Sequence, residues 1–149
     1  MSPDVQPPSS NAAAPLAHHA FRGSLGAPLA HVDAVIAHVL PGNEHHHGAQ
    51  HQHLIVIVTR LIAFAGLPAD KAPQIGARMF VAIRFGDEDG LAEAIPDLAE
   101  GMPIELRGEY IDPATAYPTV DNSGPEHLPV LHFTHAPVGF VIYARHRYS

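Results

Sequence analysis

From Leu29 onward, apolar and polar positions alternate in short runs, and the runs predict strands. LAHVDAVIAHVLPG (29–42) is rich in Val and Ile and closes on Pro41-Gly42, a turn signal. It reads as a first strand, with helix as the alternative its alanines leave open. Residues 51–58 make the clearest strand, with His51, His53, Ile55 and Ile57 on one face and Gln52, Leu54, Val56 and Val58 on the other. Residues 60–77 hold two prolines and room for one short helical turn, which predicts a long excursion rather than a tight hairpin. RMFVAIRFGD (78–87) alternates again, Met79, Val81, Ile83 and Phe85 against Phe80, Ala82 and Arg84, and predicts a third strand.

In GLAEAIPDLAEG (90–101), Leu91, Ala94, Ile95 and Leu98 recur at helical spacing, while Pro96 limits the helix to a short one that Gly101 ends. MPIELRGEYI (102–111) predicts a fourth strand with Ile104, Leu106 and Tyr110 facing one way and Glu105, Arg107 and Glu109 the other. Residues 112–128 are loop by composition. PVLHFTH (129–135) and VGFVIYARHRY (138–148) close the chain as two more strands, the second placing Tyr143, Arg145 and Arg147 opposite Phe140, Ile142 and Ala144. Three strands, one short helix and further strands is the order of a mainly β fold, a small OB-like Greek-key β-barrel, with the sixth strand as an addition. A β-sandwich or another small barrel is the main competitor. Residues 1–28 mix Pro, Ser, Ala and Gly without periodicity and read as a flexible, disordered N-terminal leader, which leaves 29–149 as one barrel domain.

Composition narrows the chemistry. A chain of 149 residues, 46% of them hydrophobic, has enough apolar surface for a single core. A net charge of −7 with eight Lys and Arg argues against a broad phosphate-neutralising surface, so any nucleic-acid contact has to be local. Without cysteine there are no disulfides, thiolate ligands or Cys nucleophiles, and His, Asp and Glu remain as ligands. No apolar run is long enough to span a membrane and no basic start leads into a hydrophobic segment, so a cytoplasmic protein with no membrane partner is expected.

Thirteen histidines are the unusual feature. Five of them lie in GNEHHHGAQHQH, leading into the 51–58 strand, and His132 and His135 lie in the LHFTH run. Neutral imidazole is the commonest protein metal ligand, and a zinc site needs three or four ligands at about 2.0–2.1 Å from the ion. His51 and His53, two apart on a strand, share a face. His132 and His135, three apart, face opposite ways in a regular strand and share a site only if the strand bends or ends between them, which the Ala136-Pro137 step favours. The expected ligand set is His51, His132 and His135, with His53 or one of His45, His46 and His47 as the fourth. His18 and His19 read as solvated. In the alternative reading the histidine run is a solvated loop, and His132 and His135 are ordinary strand residues bonded to backbone.

The spaced motifs HQHLIVIV, LRGEYI, LHFTH and GFVIY resemble a family of small bacterial proteins known only as a domain of unknown function, whose members carry His-Gln, Gly-Glu-Tyr and His-Trp-Thr-His motifs and a Gly-Trp strand. The resemblance covers roughly residues 30 to 148. His51 and Gln52 match His-Gln; Gly108, Glu109 and Tyr110 match Gly-Glu-Tyr; His132, Thr134 and His135 match the third motif, with Phe133 in place of Trp. Gly139 and Phe140 stand where Gly-Trp is usual, and Ile83 and Arg84 where the family tends to carry His-Asn. The resemblance implies the fold and the histidine site and brings no activity with it.

The function expected from these residues is that of a divalent-metal-binding barrel, zinc being the first choice of cofactor, acting as a metal-dependent hydrolase on a phosphoester or nucleic acid with Glu109 as general base. A cross-strand ion pair competes for Glu109. The alternative is a non-catalytic module that binds metal or single-stranded nucleic acid, with Arg84, Tyr143, Arg145 and Arg147 as a stacking and cationic platform. A solvated charged face competes for those four.

Overall fold

The computed structural model describes residues 27–44, 50–113 and 128–149. Among the described residues seven strands run in chain order: β1 Leu29–Glu44, β2 Gln50–Ala65, β3 Arg78–Phe85, β4 Pro103–Ile111, β5 Val130–His132, β6 Phe140–Tyr143 and β7 His146–Tyr148. Their order in the sheet is β1-β2-β3-β5-β4-β6-β7, and an additional antiparallel pairing of β1 with β4 closes the first five into a barrel. The parallel pairing of β3 with β5, together with the β1–β4 closure, is the strand order expected of an OB-type Greek-key barrel. The predicted leader and the His18, His19 and His45 to His47 positions lie almost wholly outside the described residues.

β1 puts Ala30, Val32, Ala34 and Ile36 into the barrel, where they meet Leu54, Val56 and Val58 of β2, Met79, Val81 and Ile83 of β3, and Leu106 of β4. Both β1 and β2 are longer than their alternation predicts, because the pairing between them is interrupted by bulges. Ala34 pairs with Val58 and Asp33 with Arg60, leaving Thr59 extra; Val32 pairs with Leu61 and His31 with Ala63, leaving Ile62 extra. Each extra residue shifts the inward set by one, so the apolar contacts of β2 continue as Leu61 and Phe64. Residues 60–65 are therefore strand rather than excursion. Pro41-Gly42 is likewise no turn: β1 runs through it, with both residues facing Gln52 in a further bulge, a position where a missing N–H is tolerated.

The predicted helix at 91–98 is absent. Leu91 and Ile95 are buried and Leu98 packs against the core, but the segment is irregular, with turns and one bridge between Phe85 and Leu91. Pro96 removes a helical donor and disfavours helical backbone at Ile95. Instead Gln52 holds Ile95 as a strand would, accepting from its N–H at 2.8 Å and donating to its carbonyl at 3.0 Å. Among the described helical pieces, Ala69–Lys71 forms a short 3-10 turn within the predicted 60–77 connection. The last predicted strand is a hairpin: Tyr143 pairs with His146 across Ala144 and Arg145, whose φ of 51° and 71° are those a type I′ turn demands.

Candidate functional site

The outer surface of β2, β3, β5 and β4 is built in cross-strand rows. One row is apolar: Ile55 pairs with Phe80, Phe80 with Val130, and Val130 with Ile111. These residues form a second hydrophobic cluster outside the barrel, with Ala37, Leu40 and Leu128 against it. In the next row His53 pairs with Ala82 and Glu109 with His132, and continuing the β3–β5 register by one residue sets Ala82 beside His132. The row after that begins with His51 opposite Arg84. Four of the predicted site residues, His51, His53, His132 and Glu109, thus come from three strands onto one band.

Glu109 is 4% exposed, and its Oε1 accepts from His132 Nε2 at 2.9 Å. A carboxylate so placed directs a neutral imidazole's proton to Nε2 and leaves Nδ1 as the lone-pair nitrogen. The His132 ring also lies over Phe133 at 4.3 Å between centroids. His53 rests on Phe80 at 5.1 Å, and the His51 and His53 rings stack at 6.1 Å. Gly108 lets β4 come this close, since a Cβ there would collide with the His132 carbonyl and lie 3.0 Å from Thr134 Cγ2. Thr134, fully buried, donates to the Ala82 carbonyl at 3.3 Å and ties the end of β5 to β3.

β5 ends at His132, and Phe133 follows with φ of 53°. The bend expected between His132 and His135 is present. The Phe133 ring stands beside both imidazoles, and His135 turns into its own cavity of about 160 Å³ with Arg84, Glu88, Asp89, Phe133, Pro137 and Val138. His135 Nδ1 lies 3.0 Å from the Ala136 carbonyl, which can only accept, so the proton sits on Nδ1. Burial holds the His135 imidazole below its ordinary pKa; the bond to Ala136 opposes this, Arg84 adds to it, and Asp87 and Asp89 oppose it. Its Nε2 is buried without a hydrogen-bond partner.

Arg84 is held by Asp87 through three contacts, from Nε to both carboxylate oxygens at 3.2 and 3.1 Å and from Nη2 at 2.6 Å. This bidentate grip raises the Arg84 pKa and holds the Asp87 carboxyl below the usual carboxylate range. The other residues of the predicted cationic platform are dispersed. Tyr143 is 3% exposed and donates its hydroxyl to the Asp97 carbonyl at 2.6 Å, so it faces the core and anchors the 86–102 connection. Arg145 occupies the hairpin turn, and Arg147 lies over the Phe140 ring at 4.1 Å.

Sequence reasoning matched Gln52 and Thr134 to motif positions but gave no role to them or to Asp87, which position this band. Asp87 carried a signal, an acid three residues after Arg84. Gln52 and Thr134 act on partners more than 40 residues away, which no local pattern reveals. Among the described residues, no group of three or more His, Asp or Glu side chains stands close enough to hold a metal ion. No helix among them is long and apolar enough to cross a membrane. Comparison of the chain with protein-family models, with curated proteins and with solved structures finds no match.

Proposed function

We propose that this barrel binds a divalent transition metal on the His53–His132 row of its outer face, with zinc the first candidate. The observation that carries the reading is the buried Glu109 behind His132. Metal-ligating histidines nearly always give their other ring N–H to a carboxylate or a carbonyl, which fixes the tautomer and raises the basicity of the ligating nitrogen. His132 has that arrangement, with Nδ1 as its donor atom. The small side chain of Ala82 separates His132 from His53. Two strand spacings, about 9.6 Å, lie between their backbones, a gap that two imidazoles leaning toward one ion can bridge. His51 stacks beside His53 and is the nearest further imidazole on that strand, but it would have to move to join them, since no three donors converge among the described residues.

A bound divalent ion would supply Lewis acidity, and the wider reading as a phosphoester or nucleic-acid hydrolase follows from that chemistry. Glu109, committed to His132, serves in it as a positioning residue rather than as the base.

The test is metal analysis of tag-free protein together with zinc titration. We expect about one equivalent of zinc after reconstitution, lost in His132→Ala and retained in His18→Ala. Less than about a tenth of an equivalent in the wild-type protein overturns the reading. Turnover of a generic phosphoester or nuclease substrate, abolished by chelation, is the expected result for the hydrolase; a metal-loaded protein without turnover leaves a metal-binding module.

A further inference from the structure

The cavity beside the end of β5 is separate from the row that carries the metal reading. At its wall is a neutral acceptor: His135 is 7% exposed, its proton is committed to the Ala136 carbonyl, and its Nε2 lone pair is buried without a partner. A buried acceptor in that state is costly unless something donates to it. The charges around it are predominantly negative. Arg84 and Asp87 neutralise each other, which leaves the carboxylates of Glu88 and Asp89, the latter 3.6 Å from Arg84. Glu88 and Asp89 line the cavity and are exposed at its rim. The remaining wall is apolar, formed by Phe133, Pro137 and Val138.

An acceptor, an anionic rim and an aromatic wall select a ligand that donates N–H, carries positive charge and has a short apolar part. A bare divalent ion meets only the charge requirement, since three donor side chains do not converge here. A neutral alcohol meets only the hydrogen bond. We propose that this cavity binds a small primary ammonium ion, R–NH3+, which donates to His135 Nε2, pairs with Asp89 and Glu88, and lays its alkyl group along Phe133 and Val138. The cavity, about 160 Å³, fits an amine of a few carbons. Contact with the Phe133 face adds a cation–π attraction.

The test is a titration of the full chain, 15N-labelled at histidine, with n-propylammonium chloride. 1-Propanol, tetramethylammonium and zinc chloride are titrated in parallel. We expect a saturable shift of the His135 Nε2 resonance with propylammonium alone. Tetramethylammonium, having no N–H, leaves that nitrogen unmoved. Asp89→Asn, a change at the exposed rim, should weaken propylammonium at least about tenfold, and His135→Gln, which keeps an acceptor but alters its position, should weaken it as well. No saturable shift means that water alone satisfies the nitrogen, and the proposal falls. It falls too if propanol binds as tightly, if Asp89→Asn has no effect, or if zinc alone moves the His135 signal. Loss of zinc in His132→Ala concerns the other row, so the two readings fail separately.

Discussion

Glu109→Gln preserves the shape behind His132 and removes the charge. The Glu109 side chain is 5% exposed and that of His132 16%, so their 2.9 Å bond is largely shielded from water. A hydrogen bond to a charged partner contributes about 1.5–3 kcal/mol and a neutral one about 0.5–1.5 kcal/mol. The expected loss of stability is the difference, about 1 kcal/mol, or a melting temperature lower by about 3–6 °C for a domain of this size. Glu109→Leu, which leaves the imidazole N–H without an acceptor, should cost about 1–3 kcal/mol more. Metal affinity is the decisive readout. Replacing the carboxylate that orients a ligating histidine typically weakens binding 10–100-fold, or about 1.4–2.7 kcal/mol. Urea denaturation of metal-free protein measures the first effect, and competition of zinc against a chromophoric chelator measures the second. If Glu109→Gln is destabilised as expected yet binds zinc with wild-type affinity, the carboxylate serves only the fold and the argument from His132 is refuted.

Other perturbations test the frame around this pair. Gly139→Ala should unfold the protein or lower its stability by more than about 3 kcal/mol, because a Cβ there collides with the Arg107 carbonyl and lies 2.9 Å from that of Phe133; circular dichroism melts report it. Leu131→Ala, at a fully buried core position, should cost about 2–5 kcal/mol in urea denaturation. His135 makes stability depend on pH. Its folded pKa lies below the 6.5 of the free group, so the unfolded chain binds more protons between the two values; stability is full above about pH 6.5, falls as pH drops through that window, and levels off below the folded value. His135→Gln should flatten this slope in melts from about pH 7.5 to 5. Burial, helped by Asp112, pushes the Tyr110 phenol up to about 12, so Tyr110→Phe should remove the last component of an ultraviolet tyrosine titration.

The strands that alternate cleanly could be read residue by residue. In β3 and β4 the faces are those the pattern assigns, with Ile104, Leu106 and Tyr110 inside and Glu105, Arg107 and Glu109 outside. Period-two alternation follows from strand geometry alone, so it is visible wherever the strand is regular. It failed at the bulges. Past Val58 the inward residues of β2 are Leu61 and Phe64, a spacing of three that resembles no strand until the partner's register is known. The 91–98 segment failed for the converse reason, since Leu91, Ile95 and Leu98 keep a helical spacing but are held by Gln52 and Tyr143 from distant strands.

The candidate site divides along the same line. Which imidazoles share a strand face, His51 with His53, was set by their spacing, and the break between His132 and His135 by the residues that follow them. That His53, Ala82, His132 and Glu109 form one row, while His135 lines a cavity with Phe133, Asp89 and Glu88, was decided by barrel closure. Side-chain direction within a strand is a local property of the backbone, whereas neighbours across strands depend on register. That register is fixed only when the whole apolar set packs at once.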